Sequence, residues 1–314
     1  MNDLSEYRND PLPDDEIDLK ELFLVLWNGK WLISVVTGVA AVLSVAFALS
    51  LPNIYVSESI LAPRGGEDLG SSLSRNYGGL AALAGVSLPS GSGGGVEIAK
   101  QAIFSSSFVE KYLMDDILVE LMAVESWDAG NDQLVIDVEV YDIEKEKWVR
   151  DVSFPLAPKP HIDEVMQIYK AQVSVSEDKQ SGGIITLRTE HLSPRVAQRW
   201  NQLIVQEINN FQRQQKIQKA DSAIEYLTKQ RESNQLIKMD EIFSGLIEEQ
   251  IKEKMLASVY DNYLFDVIQE PTLPILKSKP SRALICVLGT LLGGMLGLVI
   301  VLIRHYADTK QFPG

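Results

Sequence analysis

PTLPILKSKPSRALICVLGTLLGG, Pro271 to Gly294, sets Pro271, Pro274 and Pro280 within ten residues and then runs into an unbroken apolar segment. Its meaning depends on the other end of the chain. Trp31 to Leu51 and Ala283 to Ile303 carry no charged residue, and each reaches the roughly 20 residues a helix needs to cross a bilayer's hydrocarbon core. Both read as membrane spans. The first is not a cleavable signal peptide: a long acidic tail precedes it, and its apolar stretch exceeds the usual core of about 7–15 residues. Leu51-Pro52-Asn53 is also a poor small-residue cleavage site.

Two spans place both termini on one side and leave Pro52 to Arg282 as one large domain on the other, long enough for its own core. Lys20 and Lys30 before the first span and Arg304 and Lys310 after the second favour tails inside. Lys277, Lys279 and Arg282 crowd the opposite face, but long loops translocate largely regardless of charge. The large domain is therefore expected outside. A net charge of −14 and a pI near 4.7, with no basic stripe, argue against nucleic acid as a partner. The single cysteine, Cys286, lies within the second span, so no intrachain disulfide supports the outer domain.

Working back from the second span, proline fixes φ and pushes the residue before it toward extended backbone. Pro271, Pro274 and Pro280 thus predict a short stiff strap (271–282) that couples packing of the outer domain to packing in the membrane; a plain helix terminator and linker is the alternative. Further back lies a long helical pattern. Ser193 is a natural N-cap, Pro194 suits the first helical position, and up to Glu270 there is no other proline and only one glycine, Gly245. An apolar stripe runs through Val196, Trp200, Leu203 and Ile204, then Ile224 and Leu227, then Leu236, Met239, Phe243, Leu246 and Ile247. One straight helix over 193–270 would rise roughly 110 Å and strand its end far from the bilayer. The arm must therefore fold back, with Leu227 to Gln235 or Gly245 as the reversal.

Before the arm, IYVSESILAP (Ile54 to Pro63), QLVIDVEVYD, AQVSVSED and GGIITLRTE read as strands of a small mixed sheet, with helices such as Val96 to Met122 packed on it. This α/β base spans 52–192. Arg64 to Gly95 is dense in glycine and serine around an apolar island, Gly78, Gly79, Leu80, Leu83 and Gly85 among it. It reads as a mobile loop or as one facing neighbouring subunits or the interior of an assembly. In the inner tail (1–30), Leu19, Leu22, Phe23 and Leu26 make one apolar helical face that Asn28-Gly29 can end, either an interfacial helix on the membrane or an extension of the first span.

Within the second span, Gly289, Gly293 and Gly297 recur at four-residue intervals and permit close backbone approach. Ala40, Ser44 and Ala48 offer the matching face on the first span. Catalytic patterns are missing. There is no GxxxxGK[ST] loop, and Gly29-Lys30 is followed by Trp31. His161, His191 and His305 are scattered without HExxH or a Cys/His cluster and read as surface or interfacial residues. Asp115-Asp116 and Glu248-Glu249 read as solvated helix faces, since adjacent acids on a helix diverge.

DDEIDLKELFLVLWNGKW before the first span, SAIEYL in the arm, LIEEQIKEKMLASVYDNYLF descending from it and PTLPILKSKPSRALI at the second span together resemble the Wzz-type polysaccharide co-polymerases, the O-antigen chain-length determinants. GGLAALAG is similar to the loop of the longer members. The resemblance covers nearly the whole chain. It implies an α+β protein with two transmembrane helices (31–51 and 283–303) flanking a periplasmic base and a helical hairpin arm (193–270), with 304–314 as a second cytoplasmic tail. It also implies a non-catalytic regulator of the bacterial inner membrane, without cofactor or metal. Its partners would be further copies of itself in a ring, a membrane-bound polysaccharide polymerase and the lipid-linked polysaccharide. A two-span sensor with an outer ligand domain shares the topology, but about ten residues after Ile303 are too few for an output domain. An export adaptor with a coiled hairpin would not need the second span.

Overall fold

The computed structural model describes residues 19–64, 94–178, 183–233 and 237–310. The chain divides into two units, Met1–Pro52 with Lys279–Gly314, and Asn53–Ser278.

The first unit is a helical pair. Helix α1 (Leu19–Asn28) leads into α2 (Lys30–Ser50), which packs against α9 (Arg282–Lys310). Both α2 and Arg282–His305 are long and apolar enough to span a membrane. Gly29 donates to the Val25 carbonyl and its own carbonyl accepts from Ile33, both at 3.0 Å. Helix α1 nevertheless ends at Asn28 and Gly29 takes φ −85° and ψ 5°, outside the helical region, so Asn28-Gly29 does close α1 while these two bonds bridge it to α2. Gly29 is there for space: a Cβ on it would lie 2.5 Å from Val301 Cγ1 of α9.

The second unit is built on a four-stranded sheet ordered β6-β7-β1-β8, from β1 (Tyr55–Pro63), β6 (Val173–Asp178), β7 (Ile184–His191) and β8 (Phe265–Gln269). Every pairing is antiparallel, not mixed as expected, with Glu58 opposite Arg188 and Pro63 opposite Phe265. The cause is β8. The segment assigned to the arm as far as residue 270 leaves helix at Val259 and returns along β1 as a strand.

One face of the sheet is covered by the first turns of α7 (Pro194–Ser233) and by α3 (Gly94–Ile103), α5 (Met114–Met122) and α6 (Ile162–Gln172). Trp200, Tyr169, Phe108 and Phe265 are the largest fully buried side chains. The helical region around Val96 to Met122 is interrupted at Ser105, whose hydroxyl accepts from Phe108 N and caps the short α4 (Ser106–Phe108) ahead of a π-helical turn, Val109–Leu113. QLVIDVEVYD is not one strand. β3 (Gln133–Ile136) pairs with β2 (Val124–Asp128), and the Asp137 carboxylate then accepts from Glu139 N at 2.9 Å and turns the chain into a small β4 (Tyr141–Asp142) and β5 (Lys147–Trp148) hairpin.

Helix α7 has 40 residues and α8 (Ile237–Val259) has 23. They run antiparallel: along α7, Arg213, Asp221 and Arg231 pair in turn with Asp261, Lys254 and Asp240. Helix α7 ends at Ser233 and α8 begins at Ile237, with 234–236 outside the described residues, and Gly245 stands inside α8 with nothing within 4 Å of where its Cβ would be.

Candidate functional site

The strap extends the path of β8 alongside β1. Thr272 N donates to Glu58 O at 3.1 Å, Ser57 Oγ to Thr272 O at 2.7 Å, and Ser278 N to Ile54 O at 2.9 Å. Pro271 is buried, and its carbonyl accepts from Gln198 Nε2 of α7 at 2.9 Å. Pro274 and Pro280 are half-buried. Without N–H groups the three prolines cannot extend a regular ladder, so the segment is held by intermittent bonds and the sheet edge is closed to a further strand.

The arm's two ends are locked at its root by asparagines. The Asn209 side-chain oxygen accepts from Leu264 N and Phe265 N at 3.0 and 2.9 Å, while its Nδ2 donates to Val205 O at 3.0 Å. Arg64 holds the same turn, donating to Asn262 O, pairing with Asp266 at 3.2 Å and stacking over Tyr260. Nearer the sheet centre, fully buried Asn201 accepts from Ser59 Oγ at 2.6 Å and donates to Ser57 O and Leu187 O. Thr189 Oγ1 adds a bond to Ala197 O at 2.6 Å. The arm thus starts and ends on the same rigid platform.

In the helical pair, a Cβ on Gly289 would overlap Ser44, one on Gly293 would overlap Ala40, and one on Gly297 would sit 3.2 Å from Ile33 Cα. The glycine face therefore meets Ala40 and Ser44 of the sequence-derived face, while its third contact is Ile33. Ala48 is buried. Gly78, Gly79, Leu80, Leu83 and Gly85 lie outside the described residues.

His191 is not a surface residue. It is 4% exposed, its Nδ1 accepts from Ser193 N at 3.0 Å, its Nε2 faces Glu120 O at 3.3 Å, and its ring meets Trp200 edge-on. Glu120 also accepts from Trp200 Nε1 and pairs with Arg199. Burial pushes the His191 pKa down to about 4, against the bonds to Glu120 and Ser193. The unfolded chain therefore takes up a proton near pH 6.5 that the folded chain refuses until about 4. Stability present above pH 6.5 is expected to fall by about 3 kcal/mol as pH drops through that window. Thermal melts of the full chain in detergent should show this slope, and it should flatten in His191→Gln relative to wild type.

His161 instead caps α6 in a reciprocal box with Glu164, whose pKa is lowered chiefly by Arg150. His305 lies half-buried on α9. Asp115 and Asp116 are exposed, and no group of three or more His, Cys, Asp or Glu able to hold a metal occurs among the described residues. A shallow open hollow on α9 is lined by Cys286, Val287, Thr290 and Leu291, successive turns of one apolar helix. What the described residues assemble is structural: a strapped sheet edge, a rooted hairpin and a close-packed helix pair. Arm helix α8 also keeps Ile251, Met255 and Val259 exposed at i, i+4 and i+8, with Tyr226 exposed on α7.

Comparison with known proteins gives a consistent likeness. The family model described as Wzz, chain length determinant protein, matches residues 15–115. A chain length determinant protein of Escherichia coli is 24% identical over 346 residues, spanning 97% of this chain and 96% of that relative. Among solved structures, a full-length bacterial polysaccharide co-polymerase aligns over 94% of this chain and 99% of its own at 15% identity, TM-score 0.38. A fragment of WzzB, a polysaccharide co-polymerase from Salmonella Typhimurium, aligns over 72% of this chain and all of its own at 11% identity, TM-score 0.29.

Proposed function

We propose that the chain is a member of the Wzz family of chain length determinant proteins and that it sets the length distribution of a lipid-linked surface polysaccharide of O-antigen type, as a homo-oligomeric ring beside a separate membrane polymerase. Family members are non-catalytic chain length regulators and assemble as oligomers. The spans sit in the bacterial inner membrane with Pro52 to Arg282 in the periplasm. The observation that carries this reading is the collinear likeness to a chain length determinant along nearly the whole chain. The exposed stripe Ile251, Met255 and Val259 supports self-association, because an apolar helix face in water needs a second surface to cover it.

In this reading the strap transmits the geometry of the base to the second span. The assembly then limits how long a growing polysaccharide stays engaged with the polymerase. The test is a gel ladder of surface polysaccharide from the native host. Deletion of the protein should abolish the modal length. Reintroducing the chain with Pro271, Pro274 and Pro280 all replaced by alanine should leave the protein folded and membrane-bound but shift or erase the mode. An unchanged ladder on deletion would overturn the function, whereas full length control by the triple variant would reduce the strap to a linker.

A further inference from the structure

We propose that the strap's Leu273, Ile275 and Leu276 form a membrane-interface anchor that dips into the headgroup and upper acyl region of an anionic phospholipid leaflet. Ile275 is 89% exposed, Leu276 82% and Leu273 49%, a concentration of bare branched apolar side chains in four consecutive positions. They sit in a segment with no freedom to tuck them away. Thr272 and Ser278, on either side, are bonded to Glu58 and Ile54 of the sheet edge, and Pro274 stiffens the stretch between them.

The chain bends at Leu276, and Ile275 before the bend and Leu276 at it are both left bare by the protein. A lipid interface surrounds a segment lying in its plane and covers both at once.

Charge and chain length point the same way. Lys277 and Lys279 follow directly, on the side where an excess of positive charge is not otherwise called for. Lysine beside apolar residues matches an anionic headgroup layer above acyl chains. Leu276 is six residues from Arg282, where α9 begins, so the chain itself holds it within about 22 Å of the start of the span. Headgroups on each side of the hydrocarbon core occupy roughly 5–8 Å.

The inference rests on α2 and α9 being membrane spans, and not on the polysaccharide function. Its test is nitroxide accessibility in the full-length protein, in a Cys286→Ser background, reconstituted into phosphatidylglycerol-containing nanodiscs. Spin labels go singly at Ile275→Cys and Leu276→Cys, at Val287→Cys on the exposed face of α9 as the lipid reference, and at Tyr226→Cys on the arm as the water reference. Both strap labels should collide with oxygen more than with a water-soluble nickel chelate, as at Val287, and this preference should weaken in Lys277→Gln/Lys279→Gln or in purely zwitterionic discs.

Strap labels that behave like Tyr226 overturn the anchor while leaving the spans intact. Strap labels shielded from both agents mean that a second copy or another protein covers the segment, which also overturns it. A nickel-accessible Val287 removes the spans and the anchor with them.

Discussion

Leucine at Gly293 is expected to separate the two spans. The added Cβ alone would overlap Ala40 Cβ and would lie 3.5 Å from Thr37 Cα and 3.7 Å from Ala40 Cα. Backbone atoms cannot swing aside as a flexible side-chain tip can, so the helices must move apart, at a cost of about 1–3 kcal/mol or more for overpacking. Association in lipid depends on such packing, because acyl chains are as apolar as the helices. Insertion should persist, since leucine favours the bilayer. The readout is a disulfide from Thr37→Cys to Gly294→Cys in a Cys286→Ser background; a Cβ on Gly294 would lie 3.7 Å from Thr37 Oγ1, close enough for a bridge. Adding Gly293→Leu should abolish the cross-link while the protein stays in the membrane fraction. A cross-link that survives would show that close glycine packing does not hold the pair.

Asn201→Leu should be the most damaging single change in the base. It keeps side-chain size but strips the partner from Ser59 Oγ and from the Ser57 and Leu187 carbonyls, all within the buried junction of α7 and the sheet. Each abandoned buried group costs about 1–3 kcal/mol, so a total loss of roughly 4 kcal/mol is expected. That is a large share of the about 5–15 kcal/mol stabilising an ordinary domain. Ser59→Ala, which removes one member of the network, should cost clearly less. Urea denaturation of the detergent-solubilised chain measures both, and a leucine variant within about 0.5 kcal/mol of wild type would mean that the network does not carry the junction.

The two spans, the long arm and its folding back were legible because each rests on a one-dimensional signal. These are an uncharged apolar run of bilayer length, a helix pattern without breakers, and a length that cannot end where the chain next needs to be. The i, i+4 glycines were legible for the same reason, and the structure sets Gly289 and Gly293 against Ser44 and Ala40. Gly29 does follow the end of α1, as its sequence position suggested, but that the same glycine also makes room for Val301 is visible only in the tertiary structure.

The central strand was legible as a strand but not in its contents. β1 buries Ser57 and Ser59 along with Leu61, polar residues that alternation would send to solvent, because Asn201 descends from α7 to meet them. Asn201 and Asn209 look like ordinary polar positions on a helix. Their partners lie tens to over a hundred residues away, and no local pattern carries that distance. His191 was similarly hidden: its burial comes from α5 and Trp200 closing over the end of β7.

Sequence by itself therefore determined the two helices long and apolar enough to span a membrane, the order of base, arm and strap, and the absence of recognisable catalytic motifs, since hydropathy, length and spacing are properties of the chain. Tertiary structure alone decided that the sheet is wholly antiparallel, that the arm's return leg becomes β8, and which buried amides lock arm to base. Those outcomes depend on which distant hydrogen-bonding groups meet once water is excluded, and a buried polar group is stable only where a partner from elsewhere in the fold reaches it.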